Sequence, residues 1–230
     1  MAKYLAIILL AAIAFARPAL GQQSMSAIDS LERLAETAPD TALPKVYYEL
    51  SQMLRYTKPL KGISCAIKQI DLASMQGRPD YLALGYCALA ASERNADMLG
   101  QSLEHYNEAF SLARQNNLVD LEASCYNSIG RVAIDLGLID SAEYCVDRAI
   151  EIGKALRDSV VLADAYMNSG IIWRGKGRIQ KAIRYLSMSC RLRTMLNSLS
   201  VEGLAPFWHL SDLYLENGEF SKAKEIINSQ

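Results

Sequence analysis

Few residues in this chain of 230 are of a type that does chemistry, and they are scattered. Its two histidines, His105 and His209, each lack a His or Cys neighbour at metal-ligand spacing. Gly175-Lys176-Gly177-Arg178 has the flavour of a phosphate loop, yet no further Gly-Lys-Ser/Thr follows it. It reads better as a turn between helices. The thiols of Cys65, Cys87, Cys125, Cys145 and Cys190 are odd in number and show no regular close spacing. Each falls in a helical stretch, where a free Cys behaves as a small apolar residue. No nucleophile elbow, zinc-protease motif or dinucleotide fingerprint is present. The expectation is a protein that is not an enzyme and has no cofactor, catalytic residue or metal site.

The elements that would position any site come from a repeat. Tyr86, Tyr126, Tyr166 and Phe207 are spaced 40, 40 and 41 residues apart. Four residues after each stands a small one: Ala90, Gly130, Gly170 and Ser211. Further columns are Asp97, Gly137, Gly177, Gly218; Leu99, Ile139, Ile179, Phe220; Ser102, Ala142, Ala182, Ala223; and Ala109, Ala149, Ser189. Small residues halfway along one helix and along the next let two antiparallel axes approach closely. The glycine column suits a residue of positive φ that ends the first helix. Asp140 and Glu143 are spaced as a capping box for the second. No stretch alternates as a strand does. The spacing predicts an all-α, right-handed α-solenoid of antiparallel helix hairpins with a period of about 40 residues.

The ends differ from the middle. Lys3, the apolar run Tyr4–Ala16, Arg17-Pro18 and the small residues Ala19 and Gly21 form the pattern of a cleavable export signal over 1–21. The run is too short to cross a membrane. An exported, periplasmic mature chain with no membrane span is expected. Removing that segment turns 24 basic against 25 acidic side chains into 22 against 25, a shift from −1 to −3. Neither value suits a nucleic-acid binder. Residues 22–43 form an N-terminal segment with a short amphipathic helix, Ser26 to Ala38, and 44–230 hold the repeats, at about 44–79, 83–119, 123–159, 163–200 and 204–230.

Tyr126, Ile129, Gly130, Ala133, Gly137, Ala142 and Ala149 together resemble the tetratricopeptide repeat (TPR) signature. So do Tyr166, Gly170, Trp173, Gly177, Ala182 and Phe207, Leu210, Tyr214, Gly218, Ala223. The resemblance covers about 44–230; its departure is the period, which implies longer helices. Ala27 to Leu31, Pro39-Asp40, Glu49 to Ser51 and Arg55 to Thr57 look like the start of exported bacterial sensor regions. In those, such repeats precede a membrane helix and a histidine kinase or a DNA-binding regulator. The sequence stops inside the last hairpin, so a truncated receptor segment stands beside a stand-alone scaffold.

The TPR resemblance implies a protein- or peptide-binding groove on the first helix of each hairpin. Carried over, its positions are Cys87, Ala91, Arg94; Asn127, Arg131, Ile134, Asp135; Met167, Ile171, Arg174; and Trp208, Asp212, Leu215. The set Arg94, Asn127, Arg131, Met167, Arg174, Trp208 and Asp212 is the candidate peptide site. Arg94, Arg131 and Arg174 would pair with an acidic segment, and Trp208 would anchor it. Between Gly170 and Ser200, Arg174, Lys176, Arg178, Lys181, Arg184, Arg191 and Arg193 meet no acidic residue, a pattern read as a solvated outer patch.

Overall fold

The computed structural model describes residues 27–197 and 201–228; the export signal expected over 1–21 lies outside the described residues. Eleven helices and no strand occur among the described residues. They are α1 (27–37), α2 (Leu43–Leu54), α3 (Pro59–Met75), α4 (Pro79–Asn95), α5 (Leu99–Gln115), α6 (Val119–Asp135), α7 (Ile139–Leu156), α8 (Ser159–Gly175), α9 (Ile179–Met195), α10 (Val201–Glu216) and α11 (Phe220–Asn228). Pro79, Val119 and Ser159 open α4, α6 and α8 at intervals of 40, because each period holds two helices of 17 or 18 residues and two short turns. The long period is therefore helix length. The chain forms two compact units that divide between Met98 and Leu99.

In the first unit, α1 lays Ile28, Leu31 and Ala35 on Val46, Leu50 and Leu54 of α2 and Cys65 of α3. Gly62 of α3 and Gly85 of α4 sit at close approaches, since a Cβ there would come within 2.8 Å of Ser92 Oγ and 2.7 Å of Ile70 Cγ1 respectively.

In the second unit the two small columns meet. Gly130 of α6 lies over Ala142 and Val146 of α7, and Gly170 of α8 lies over Ala182 and Leu186 of α9. Ala142, Ala149 and Ala182 are fully buried. Ser189 fills the same column because its hydroxyl donates to the Ala163 carbonyl at 2.6 Å. Each turn inside a hairpin is closed the same way. Gly137, Gly177 and Gly218 take φ of 75°, 69° and 79°. The amides of Leu138, Arg178 and Glu219 then donate back to the carbonyls of Ala133, Trp173 and Tyr214 at 2.8 to 2.9 Å. Gly175-Lys176-Gly177-Arg178 is thus a helix end and its turn.

Two expectations are corrected. Asp140 and Glu143 form no capping box: the tight turn makes Leu138 the residue before α7, without side-chain capping, and Glu143 is drawn to Lys176 instead. A side-chain cap does form on α8, where Asp158 accepts from Val160 N at 2.8 Å and Val161 N at 3.0 Å. Nor is the basic run of α8 and α9 simply solvated. Arg193 is buried and paired with Asp164, Arg174 is paired with Glu216, and Lys181 lies 3.2 Å from the centre of the Trp173 ring.

Candidate functional site

The first helices of three hairpins, α6, α8 and α10, share a face because α8 touches both of the others. The glycine columns turn one side of α6 and of α8 into their partners α7 and α9; Asn127 and Arg131 of α6 and Met167 and Arg174 of α8 are half-buried. Specific links hold the face in register. Asn168 of α8, 1% exposed, donates from Nδ2 to Asn127 Oδ1 of α6 at 2.8 Å. Arg174 of α8 donates from Nε to Glu216 Oε2 of α10 at 3.1 Å, and its second terminal nitrogen meets the other carboxylate oxygen.

His209 of α10 lies within the field of both Arg131 and Arg174. Burial first, and then those two guanidiniums, hold its imidazole below the ordinary histidine range, while Asp212 one turn on pulls the other way. Arg131 and Arg174 thus act on His209 from α6 and α8, and Asp212 acts on it from its own helix. Six of the seven residues expected to line a groove fall in this unit: Asn127, Arg131, Met167, Arg174, Trp208 and Asp212. Trp208 is 50% exposed. Met167 packs against the cluster of Leu186, Phe207 and Leu210. Arg94 ends α4 in the first unit, half-buried.

Two features were missed in the sequence. His209, isolated along the chain, completes a polar column with Ser128 and Asn168 beside the column of Asn127, Met167 and Trp208. Each arginine also has a carboxylate of its own: Asp135 stands 3.6 Å from Arg131, and Glu216 holds Arg174. The Glu216 side chain is 56% exposed, and exchanging such a surface pair for another carboxylate involves only about 0–1 kcal/mol. The Arg131–Asp135 pair is the more enclosed of the two, with its side chains 25% and 26% exposed.

The five cysteines lie in α3, α4, α6, α7 and α9, with Cys65, Cys125 and Cys190 buried. Burial pushes the Cys65 and Cys145 thiols up, and Cys190 up to about 12. Among the described residues no cluster of His, Cys, Asp and Glu could hold a metal ion, and no helix is long and apolar enough to cross a membrane.

This is the architecture of the TPR-like repeat proteins. No family model matches the chain, and no curated protein matches it. Solved structures do. The chain is similar to NprR in complex with its cognate peptide NprX, at 18% identity and a TM-score of 0.71, covering 89% of this chain and 59% of that one. It is similar to BtubC of P. vanneervenii at 19% identity and 0.63, covering 90% and 87%. The TPR-like repeats of a kinesin light chain from Podospora anserina match at 13% and 0.56, covering 84% and 94%. At these identities the likeness is one of fold.

Proposed function

We propose that the chain is a non-catalytic scaffold that binds a protein or an extended peptide across the shared face of α6, α8 and α10. The observation that carries this reading is the placing of Asn127, Arg131, Met167, Arg174 and the half-exposed Trp208 on three successive first helices that the Asn168–Asn127 and Arg174–Glu216 hydrogen bonds tie together. The Asn168–Asn127 and Arg174–Glu216 links already join the three helices, so little ordering is left to the moment of binding. The peptide held by the similar NprR structure supports the same class of partner. An acidic segment is the natural match to the two guanidiniums, with Asp135 and Glu216 giving way to it.

Charge reversal tests this directly. Arg131→Glu with Arg174→Glu should cut capture of the partner at least tenfold, roughly the loss of one charge-assisted hydrogen bond, with the helical circular dichroism unchanged. Undiminished capture by the folded double variant would refute the face.

Export rests on the pattern of residues 1–21. Recovery of a periplasmic protein whose N-terminus is Gln22 would support it; an intact Met1 in the cytoplasm would end it. A receptor setting draws on the N-terminal likeness to sensor regions, and reading the gene past Gln230 for a membrane helix and an output domain tests that alternative.

A further inference from the structure

The second helices of two successive hairpins, α7 and α9, border a cavity of about 390 Å³. Asp147, Ile150, Glu151 and Lys154 of α7 line one wall. Lys181, Arg184, Tyr185 and Met188 of α9 line the other. Each set runs i, i+3, i+4, i+7, a single stripe of its helix. Between them lies the buried Tyr166 of α8, its ring centre 6.0 Å from that of Tyr185. One repeat earlier, the position of Ile150 is held by Phe110 and that of Tyr166 by Tyr126. Those two rings meet edge-on, their centres 4.7 Å apart. Ile150 has no ring to make that contact, and Tyr166 is left lining the cavity.

The two walls differ in charge. Glu151 is engaged by Arg148, and Lys181 lies over the Trp173 ring. Asp147 and Arg184, on opposite walls, make no side-chain ion pair or hydrogen bond among the described residues. We infer that this cavity binds a small zwitterion, an amino acid or dipeptide with an aromatic side chain, its carboxylate on Arg184, its ammonium on Asp147 and its ring against Tyr166 and Tyr185. A guanidinium matches a carboxylate with paired, charge-assisted hydrogen bonds, and the tyrosines offer a ring its edge or face. A simple anion would meet Asp147 and Glu151 as like charges, and a simple cation would meet Lys154, Lys181 and Arg184. Partial burial, with Glu143 and Glu151 nearby, already holds the Asp147 carboxyl above its usual range in spite of Lys181 and Lys154, so a ligand ammonium is a favourable partner there. The volume falls at the small end of ligand pockets, about 300–1,000 Å³. This site is independent of the peptide face of α6, α8 and α10.

The test is isothermal titration calorimetry of the full chain near neutral pH with L-phenylalanine and with alanyl-phenylalanine. Saturable binding of one ligand per chain is expected, and the tighter of the two separates free amino acid from dipeptide. N-acetylphenylalanine and phenylalanine amide, each lacking one charge, should bind at least about tenfold more weakly, as for the loss of a charge-assisted hydrogen bond. The exposed Asp147→Asn and Arg184→Gln should each weaken binding by a similar factor with the helical circular dichroism unchanged. Ile150→Phe, which restores the ring of the preceding repeat, should abolish it. Binding of neither zwitterion, equal binding of N-acetylphenylalanine, or undiminished binding by the folded Arg184→Gln variant would overturn the inference.

Discussion

Gly170 offers a test of the packing on which the face depends. A Cβ added there would stand 2.6 Å from Leu186 Cγ, 2.9 Å from Leu186 Cδ2 and 3.4 Å from the Ala182 carbonyl oxygen. Carbon atoms rest at about 3.5–4.0 Å, so Leu186 must move by about 1 Å. It is fully buried among Ala182, Cys190, Phe207, Leu210 and Leu213, and the closest atom is its branch point, not a flexible tip. Overpacking of this kind costs about 1–3 kcal/mol, while replacing a mid-helix glycine by alanine returns about 1 kcal/mol. The branch-point contact places the cost near the upper end, so Gly170→Ala should lose about 2 kcal/mol net. Gly175 ends the same helix with nothing within 4 Å of its Cβ position. Gly175→Ala should therefore gain about 0.5 kcal/mol from the same propensity. Urea unfolding followed by circular dichroism reads both, and Leu186→Ala should be less damaging in the Gly170→Ala background than alone. If Gly170→Ala and Gly175→Ala were equally stabilising, α8 and α9 would not be in the close contact described, and α8 would present a different side to its neighbours.

Arg157 takes φ of 56° in the turn after α7, where its Cβ is unwelcome; Arg157→Gly should stabilise by about 1 kcal/mol, and a fall in melting temperature would contradict this. Cys190 supplies a pH dependence. Its thiol is raised from 9.0 to about 12 in the fold, so above pH 9 the unfolded chain loses this proton while the folded one keeps it. Stability is then complete below about 9 and declines towards 12, by up to about 1.4 kcal/mol per pH unit from this group. Cys145 adds a contribution of the same sign. Cys190→Ala should shallow that decline, and an unchanged slope in alkaline urea titrations would remove Cys190 as its source.

The repeat was legible because its constraints act column by column. A residue of positive φ and a residue without a side chain at a helix crossing each leave a mark at one position, and the 40-residue period repeats the mark. Asp97 joins the glycines of its column in positive φ. What depends on two or three helices at once left no such mark. Glu143 carries the spacing of a capping residue, but its partner, Lys176, lies 33 residues away. Arg193 reads as one more cation of a basic run, and only the packing of α9 on α8 turns it inward to Asp164.

The candidate site divides along the same line. The columns place Arg131 and Arg174 on a common face, but they do not disclose that Asp135 and Glu216, both eight residues after the column of Asn127, Met167 and Trp208, hold those arginines in place. His209 is the clearest case. It has no metal-ligating or catalytic partner nearby along the chain; in its own column with Ser128 and Asn168, it is the third polar residue. In a repeat protein that column, read down successive hairpins and not along the sequence, is where an isolated histidine acquires charged neighbours able to set its proton affinity.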